Sequence, residues 1–158
     1  MSIDVTIATR IGRLPKDVFA ALTAVERLPG WLIASGIVKV ERADTGPLAV
    51  GSRLTVRQVV AGRSTVIDAQ VIALVPDVAF ALRGRDPDGV TVQFEAGLVP
   101  DGDAATTLTW SVRIGLPLKY RMFESMVAPQ ARRAAALDVE ALKRRLESEA
   151  ATDVEART

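Results

Sequence analysis

Four polar side chains stand where they could do chemistry in an otherwise apolar setting: Gln58, Arg83, Tyr120 and Glu124. Gln58 shares the parity of Leu54 and Val56, so if those two face inward the Gln58 amide does too, and a buried amide needs a partner in backbone, water or ligand. Tyr120, Glu124 and Arg83 are the groups that could steer a proton transfer. Glu124 needs desolvation to act as an acid or base, whereas its neighbours Lys119 and Arg121 read more simply as a charged helix surface around an ionised carboxylate. The chain contains no histidine and no cysteine. That removes thiolate nucleophiles, disulfides, zinc–thiolate sites and every serine- or cysteine-based relay that needs an imidazole. No two carboxylates share an apolar setting, so the expectation is no catalytic constellation, no metal and no cofactor.

Composition points the same way. With 158 residues, the chain is the size of one ordinary domain, and 49% hydrophobic residues suffice for one core. Lys and Arg number 20 against 19 Asp and Glu, so no polyelectrolyte partner is implied and nucleic acid is set aside. The Lys143-Arg144-Arg145 run with Glu147 and Glu149 reads as a solvated helix face. The opening residues lack a basic stretch followed by an apolar one, and no apolar run is long enough to cross a bilayer; a cytoplasmic protein is expected.

These candidates must be positioned by elements with readable periods. Val5, Ile7, Thr9 and Ile11 alternate with Thr6, Ala8 and Arg10 in a first strand over residues 3–11. Pro15 then opens a helix with Val18, Phe19, Leu22 and Val25 on its apolar stripe, closed by Leu28-Pro29-Gly30, with Trp31 and Leu32 in a short second segment. Six more strand-like runs follow, at residues 37–43, 52–60, 65–75, 78–83, 90–99 and 106–114. Their separators are turn-formers short enough for hairpins, which makes neighbours antiparallel. From Pro117 to Ala150 the period turns helical, with Ala131, Ala135, Val139, Leu142 and Leu146 on one stripe. Pro129 inside this stretch predicts a kink or break at residues 125–129. The expectation is a single domain over residues 1–150 and a frayed tail over 151–158.

Several stretches together resemble one family. Val18-Phe19-Ala20-Ala21-Leu22 behind Pro15, Trp31 trailing a proline, Val50-Gly51-Ser52-Arg53-Leu54, Val71-Ile72-Ala73-Leu74-Val75-Pro76 and Leu137-Asp138-Val139-Glu140-Ala141-Leu142-Lys143 resemble the START/Bet v 1-like (SRPBCC) superfamily, in its bacterial polyketide cyclase/dehydrase-like branch. The resemblance spans nearly the whole chain. It implies an α+β helix-grip fold: a seven-stranded curved antiparallel sheet around a long C-terminal helix, with two short helices between strands one and two. It also implies a cavity between sheet and helix.

Strand parity then nominates the wall of that cavity. It draws on Leu54, Val56 and Gln58; on Ile67 and Val71; on Phe80 and Leu82; on Val92 and Phe94; and on Trp110 and Val112, with Trp31 beside them. Tyr120, Phe123, Met126 and Val127 supply a helical lid. Trp31, Trp110 and Tyr120 each carry a polar tip that could orient a ligand. The leading expectation is a binder or carrier of a small hydrophobic molecule of lipid, polyketide or isoprenoid type. A cyclase- or dehydratase-like enzyme using Tyr120, Glu124 or Arg83 is one alternative, and a regulatory protein-interaction module is another. Nothing in the sequence selects an oligomeric state.

Overall fold

In the computed structural model, which describes residues 2–157, the strands are β1 (Ser2–Ile11), β2 (Ile37–Arg42), β3 (Arg53–Val60), β4 (Arg63–Val75), β5 (Ala79–Arg85), β6 (Thr91–Pro100) and β7 (Thr106–Gly115). They form one antiparallel sheet in the order β1-β7-β6-β5-β4-β3-β2. Consecutive strands from β2 to β7 are hairpin neighbours, as their short connections require, and β1 closes against β7. Between β1 and β2 lie α1 (Pro15–Thr23), with Pro15 at its first turn, and a 3₁₀ segment, Val25–Gly30. After β7 a second 3₁₀ segment, Leu118–Phe123, leads into α2 (Glu124–Arg157). This is the helix-grip arrangement that the resemblance implied.

The sheet face turned toward α2 is built from matched cross-strand rows. Val56 pairs with Ile67, Val71 with Leu82, Leu82 with Phe94 and Phe94 with Val112. All but Phe94, which is half-buried, are buried. Gly36, at the entrance to β2, is one place where only glycine serves: its φ is +76°, and a Cβ there would run into the carbonyl oxygen of Val59. That close approach lets the turn before β2 lie directly on β3, where the Val59 amide donates to the Gly36 carbonyl at 2.8 Å.

One expectation about the final helix needs correcting. The helical type changes between Phe123 and Glu124, ahead of residues 125–129, and α2 runs on through Pro129. With the helix restarting at Glu124, Pro129 falls in its second turn and withholds only the hydrogen bond to Ser125. At the far end α2 extends to Arg157, within the stretch 151–158 expected as a frayed tail, whose last residue, Thr158, lies outside the described residues. Ala151, Thr152, Asp153, Glu155 and Ala156 are exposed, and the Thr152 hydroxyl donates to the Ser148 carbonyl one turn back at 3.1 Å.

Along α2, Ala135, Val139, Leu142 and Leu146 are buried, and Leu142 is fully so. A buried leucine contributes about 1.5–3 kcal/mol from its removal from water alone. Leu142→Ala should therefore lower unfolding free energy in urea by about 2–5 kcal/mol. The exposed Leu137→Ala should stay within about 0.5 kcal/mol of the parent; equal losses would mean that α2 docks by a different face.

Candidate functional site

The face that α2 turns to the sheet changes character along its length. Toward its C-terminal half it carries Val139, Leu142 and Leu146, all buried, of which Leu142 and Leu146 also border a groove of about 240 Å³ beside α1. Toward its N-terminal half it carries Ala131, Ala134 and Ala135, whose methyl groups cannot reach the strands opposite. The result is a cleft of about 320 Å³. Its sheet wall is Gln58 and Val60 from β3, Val92 and Phe94 from β6, and Val112 and Ile114 from β7, with Val90 and Leu116 at the strand ends. Val127, Gln130 and the three alanines form the helix wall, and Ala34 and Ser35 close one side.

The inner end of the cleft is shut by aromatic packing. Trp110 stacks on Phe94 and meets Trp31 edge-on, with 5.4 Å between ring centroids in each pair. Behind Phe94 only an apolar void of about 20 Å³ remains, lined by Val56, Phe80, Leu82, Trp31 and Trp110 among others. Phe94 is thus the common wall of void and cleft. The indole N–H of Trp31 is buried and meets no acceptor among the described residues.

The polar side of the cleft is held by a buried carboxylate. Asp138 is only 1% exposed, and it accepts hydrogen bonds from the Ala34 amide at 2.8 Å, the Ser35 amide at 3.2 Å and the Ser35 hydroxyl at 2.5 Å. In turn the Ser35 carbonyl accepts from Gln58 Nε2 at 2.8 Å. The chain α2–turn–β3 is therefore cross-linked by one polar network, and Gln58 takes a backbone partner. Its Oε1 makes no hydrogen bond among the described residues and stays free at the cleft wall. No cation pairs with Asp138 among the described residues, and burial pushes its carboxyl pKa up despite the donors from Ser35 and Ala34.

Of the residues nominated from parity, Gln58, Val92, Phe94, Val112 and Val127 line the cleft. Trp31, Val56, Phe80, Leu82 and Trp110 surround the small void, and Leu54, Ile67 and Val71 belong to the packed core. Tyr120, Phe123 and Met126 do not line the cleft; Phe123 and Met126 are exposed. Arg83 lies on the opposite, outer face of the sheet beside Arg53 and Asp68, and Glu124 does not reach the cleft either. Sequence reasoning passed over Val60, Val90 and Ile114, although the same strand parity extends to them. It also passed over Asp138, for which the signal was an acid lying on the Ala135–Leu142 stripe.

The description of the family model that matches residues 2–147 reads polyketide cyclase / dehydrase and lipid transport. No curated protein matches the sequence. Among solved structures, a START superfamily protein from Mycobacterium smegmatis superimposes with a TM-score of 0.76 at 16% identity, over 92% of this chain and 97% of that one. The Zhui aromatase/cyclase of a Streptomyces species gives 0.75 at 15% identity, over 93% and 94%. A norcoclaurine synthase variant from Thalictrum flavum, in complex with a transition-state analogue, gives 0.70 at 14% identity, over 94% and 96%. At these identities the likeness is one of fold.

Because the Asp138 pKa is raised, the folded chain binds this proton more tightly than the unfolded chain does. Stability from this group is greatest below the ordinary value of 3.8, falls as pH rises toward the raised value, and is flat above it. Asp138→Asn lacks that component, so the stability of the parent minus that of the variant should decrease as pH rises from about 4, measured by urea unfolding at several pH values. A difference that is constant or grows with pH would contradict the burial of an unpaired carboxylate here.

Proposed function

This chain belongs to the polyketide cyclase / dehydrase and lipid transport family, and we propose that within it the protein binds and carries one compact, neutral, largely apolar molecule in the cleft between the sheet and α2. The observation that carries this reading is the lining itself: its side chains are aliphatic, aromatic, Ser35 and two glutamines, with no titratable group among them. A charged ligand would lose its hydration without gaining a partner. Binding sites for organic ligands span roughly 300–1,000 Å³, so a cleft of about 320 Å³ suits a one- or two-ring polyketide or a short isoprenoid better than a long-chain lipid.

Orientation comes from the amides. The Ser35 amide and hydroxyl proton are given to Asp138 and its carbonyl accepts from Gln58, so Gln58 Oε1, which suits a hydroxyl donor, and the Gln130 amide on the exposed side are open to a ligand. The cyclase or dehydratase reading needs Tyr120, Glu124 or Arg83 at the ligand, and none of the three lines the cleft. For that reason the carrier reading is preferred.

Native mass spectrometry of protein purified without detergent, and titration with the neutral fluorophore N-phenylnaphthylamine, test it. The parent should carry or take up a single apolar molecule. Ala134→Leu, which fills the cleft from the helix side, should weaken uptake by roughly tenfold or more while the melting temperature stays close to the parent's. Undiminished uptake by Ala134→Leu would place binding elsewhere and sink the reading.

A further inference from the structure

The segment between the last strand and α2 exposes more apolar surface than a solvated turn needs. Leu118, Met122 and Met126, spaced by four residues, are 80%, 79% and 58% exposed, and Phe123 is 41% exposed. Scattered exposed hydrophobics are ordinary, but four large ones within nine consecutive residues form a patch that calls for a partner. Cations are interleaved with them. Lys119 and Arg121 lie within Leu118–Phe123, and that segment contains no acidic residue. Lys119 sits 5.0 Å from the centre of the Tyr120 ring, which in turn lies 6.5 Å from Phe123. Asp88 is the nearby acid; Arg63 bridges it at 2.8 Å and Lys119 at 3.9 Å. Glu124 follows the segment at the start of α2, and Arg121 makes no ion pair among the described residues.

We propose that Leu118–Phe123 with Met126 is a docking surface for an anionic lipid bilayer, through which the cleft exchanges its ligand. Leucine, methionine and phenylalanine side chains enter the boundary of the acyl region, while Lys119 and Arg121 meet headgroup phosphates and Tyr120 sits at their level. Continuity favours this occupant: Leu116 and Val127, on either side of the segment, both line the cleft, so a bilayer seated on the patch lies at the cleft's rim. A second copy of this chain fits less well, since a two-fold contact through the patch would set Lys119 and Arg121 against their own counterparts. The proposal rests on the carrier reading for its purpose, but not for its physics.

Flotation with phosphatidylcholine vesicles, with and without about a third phosphatidylglycerol, tests it at low and at physiological salt. The full chain should associate with the phosphatidylglycerol vesicles and much less with phosphatidylcholine alone. Lys119→Gln with Arg121→Gln should weaken that association about tenfold or more, at roughly fivefold per cation. Leu118→Glu with Met122→Glu should abolish it. Those four side chains lie outside the cleft lining, so N-phenylnaphthylamine uptake should be unchanged in both variants. No association with either vesicle, association undiminished in Leu118→Glu/Met122→Glu, or a dimer in light scattering that this variant dissolves would each overturn the bilayer proposal. Vesicle binding by a protein that takes up no fluorophore would leave docking standing and remove the carrier reading instead.

Discussion

How close a helix can lie to a sheet is limited by the side chains between them, and in this fold that limit varies along one helix. Protein interiors pack at crystal-like density, so a stretch of leucine and valine against the strands leaves no room for a ligand. Val139, Leu142 and Leu146 are buried on the sheet side in this way, with the groove beside Leu142 and Leu146 opening toward α1 instead. One and two turns earlier the same face carries alanine, and the separation set by the larger residues leaves an opening there that the methyl groups cannot fill. The leucine half of α2 is the anchor, and the alanine half is the roof of the cleft.

A roof of alanine needs a device that keeps it from collapsing, and the buried carboxylate supplies one. Asp138 sits between the two halves, where it holds the Ala34–Ser35 turn by three donors. Through the Ser35 carbonyl the turn holds Gln58. A network of this kind is worth having only if its members are satisfied, because a buried polar atom left alone costs more than a hydrogen bond gains. Here Gln58, whose Oε1 has no partner among the described residues, stands at the cleft wall rather than in the core. The aromatic group Trp31–Trp110–Phe94 fixes the other boundary by filling what would otherwise be the deep half of a larger cavity.

Most of the fold was legible in the sequence because its signals are local. Alternation in Leu108, Trp110, Val112 and Ile114, or in Val90, Val92 and Phe94, names a strand and its inward face at once, and the hairpin turns name its neighbours. The candidate site was legible only in part. Parity says that Leu54 and Gln58 look the same way, but it does not say that the interior near Leu54 is filled while the interior near Gln58 is open. That depends on how large the opposing side chains are, and on Trp31, which the turn after the Val25–Gly30 segment brings in from outside the sheet. Tyr120 was nominated as part of a helical lid and Glu124 for its chemistry, and neither lines the cleft. Ala131 and Ala135 were visible as a helical stripe, yet their smallness carries meaning only beside Leu142 and Leu146.

Family membership and fold likeness agree on the helix-grip fold, while the size and lining of the cleft belong to this chain. The most direct test of the account is the set of intermolecular nuclear Overhauser effects between isotope-labelled protein and an unlabelled apolar molecule it has taken up. Contacts to the methyl groups of Ala131, Ala134, Val92 and Val112 are predicted. Contacts instead to Leu54, Val56 and Val71 would show that the ligand sits in the half described here as packed, and would contradict the division of α2 into an anchor and a roof.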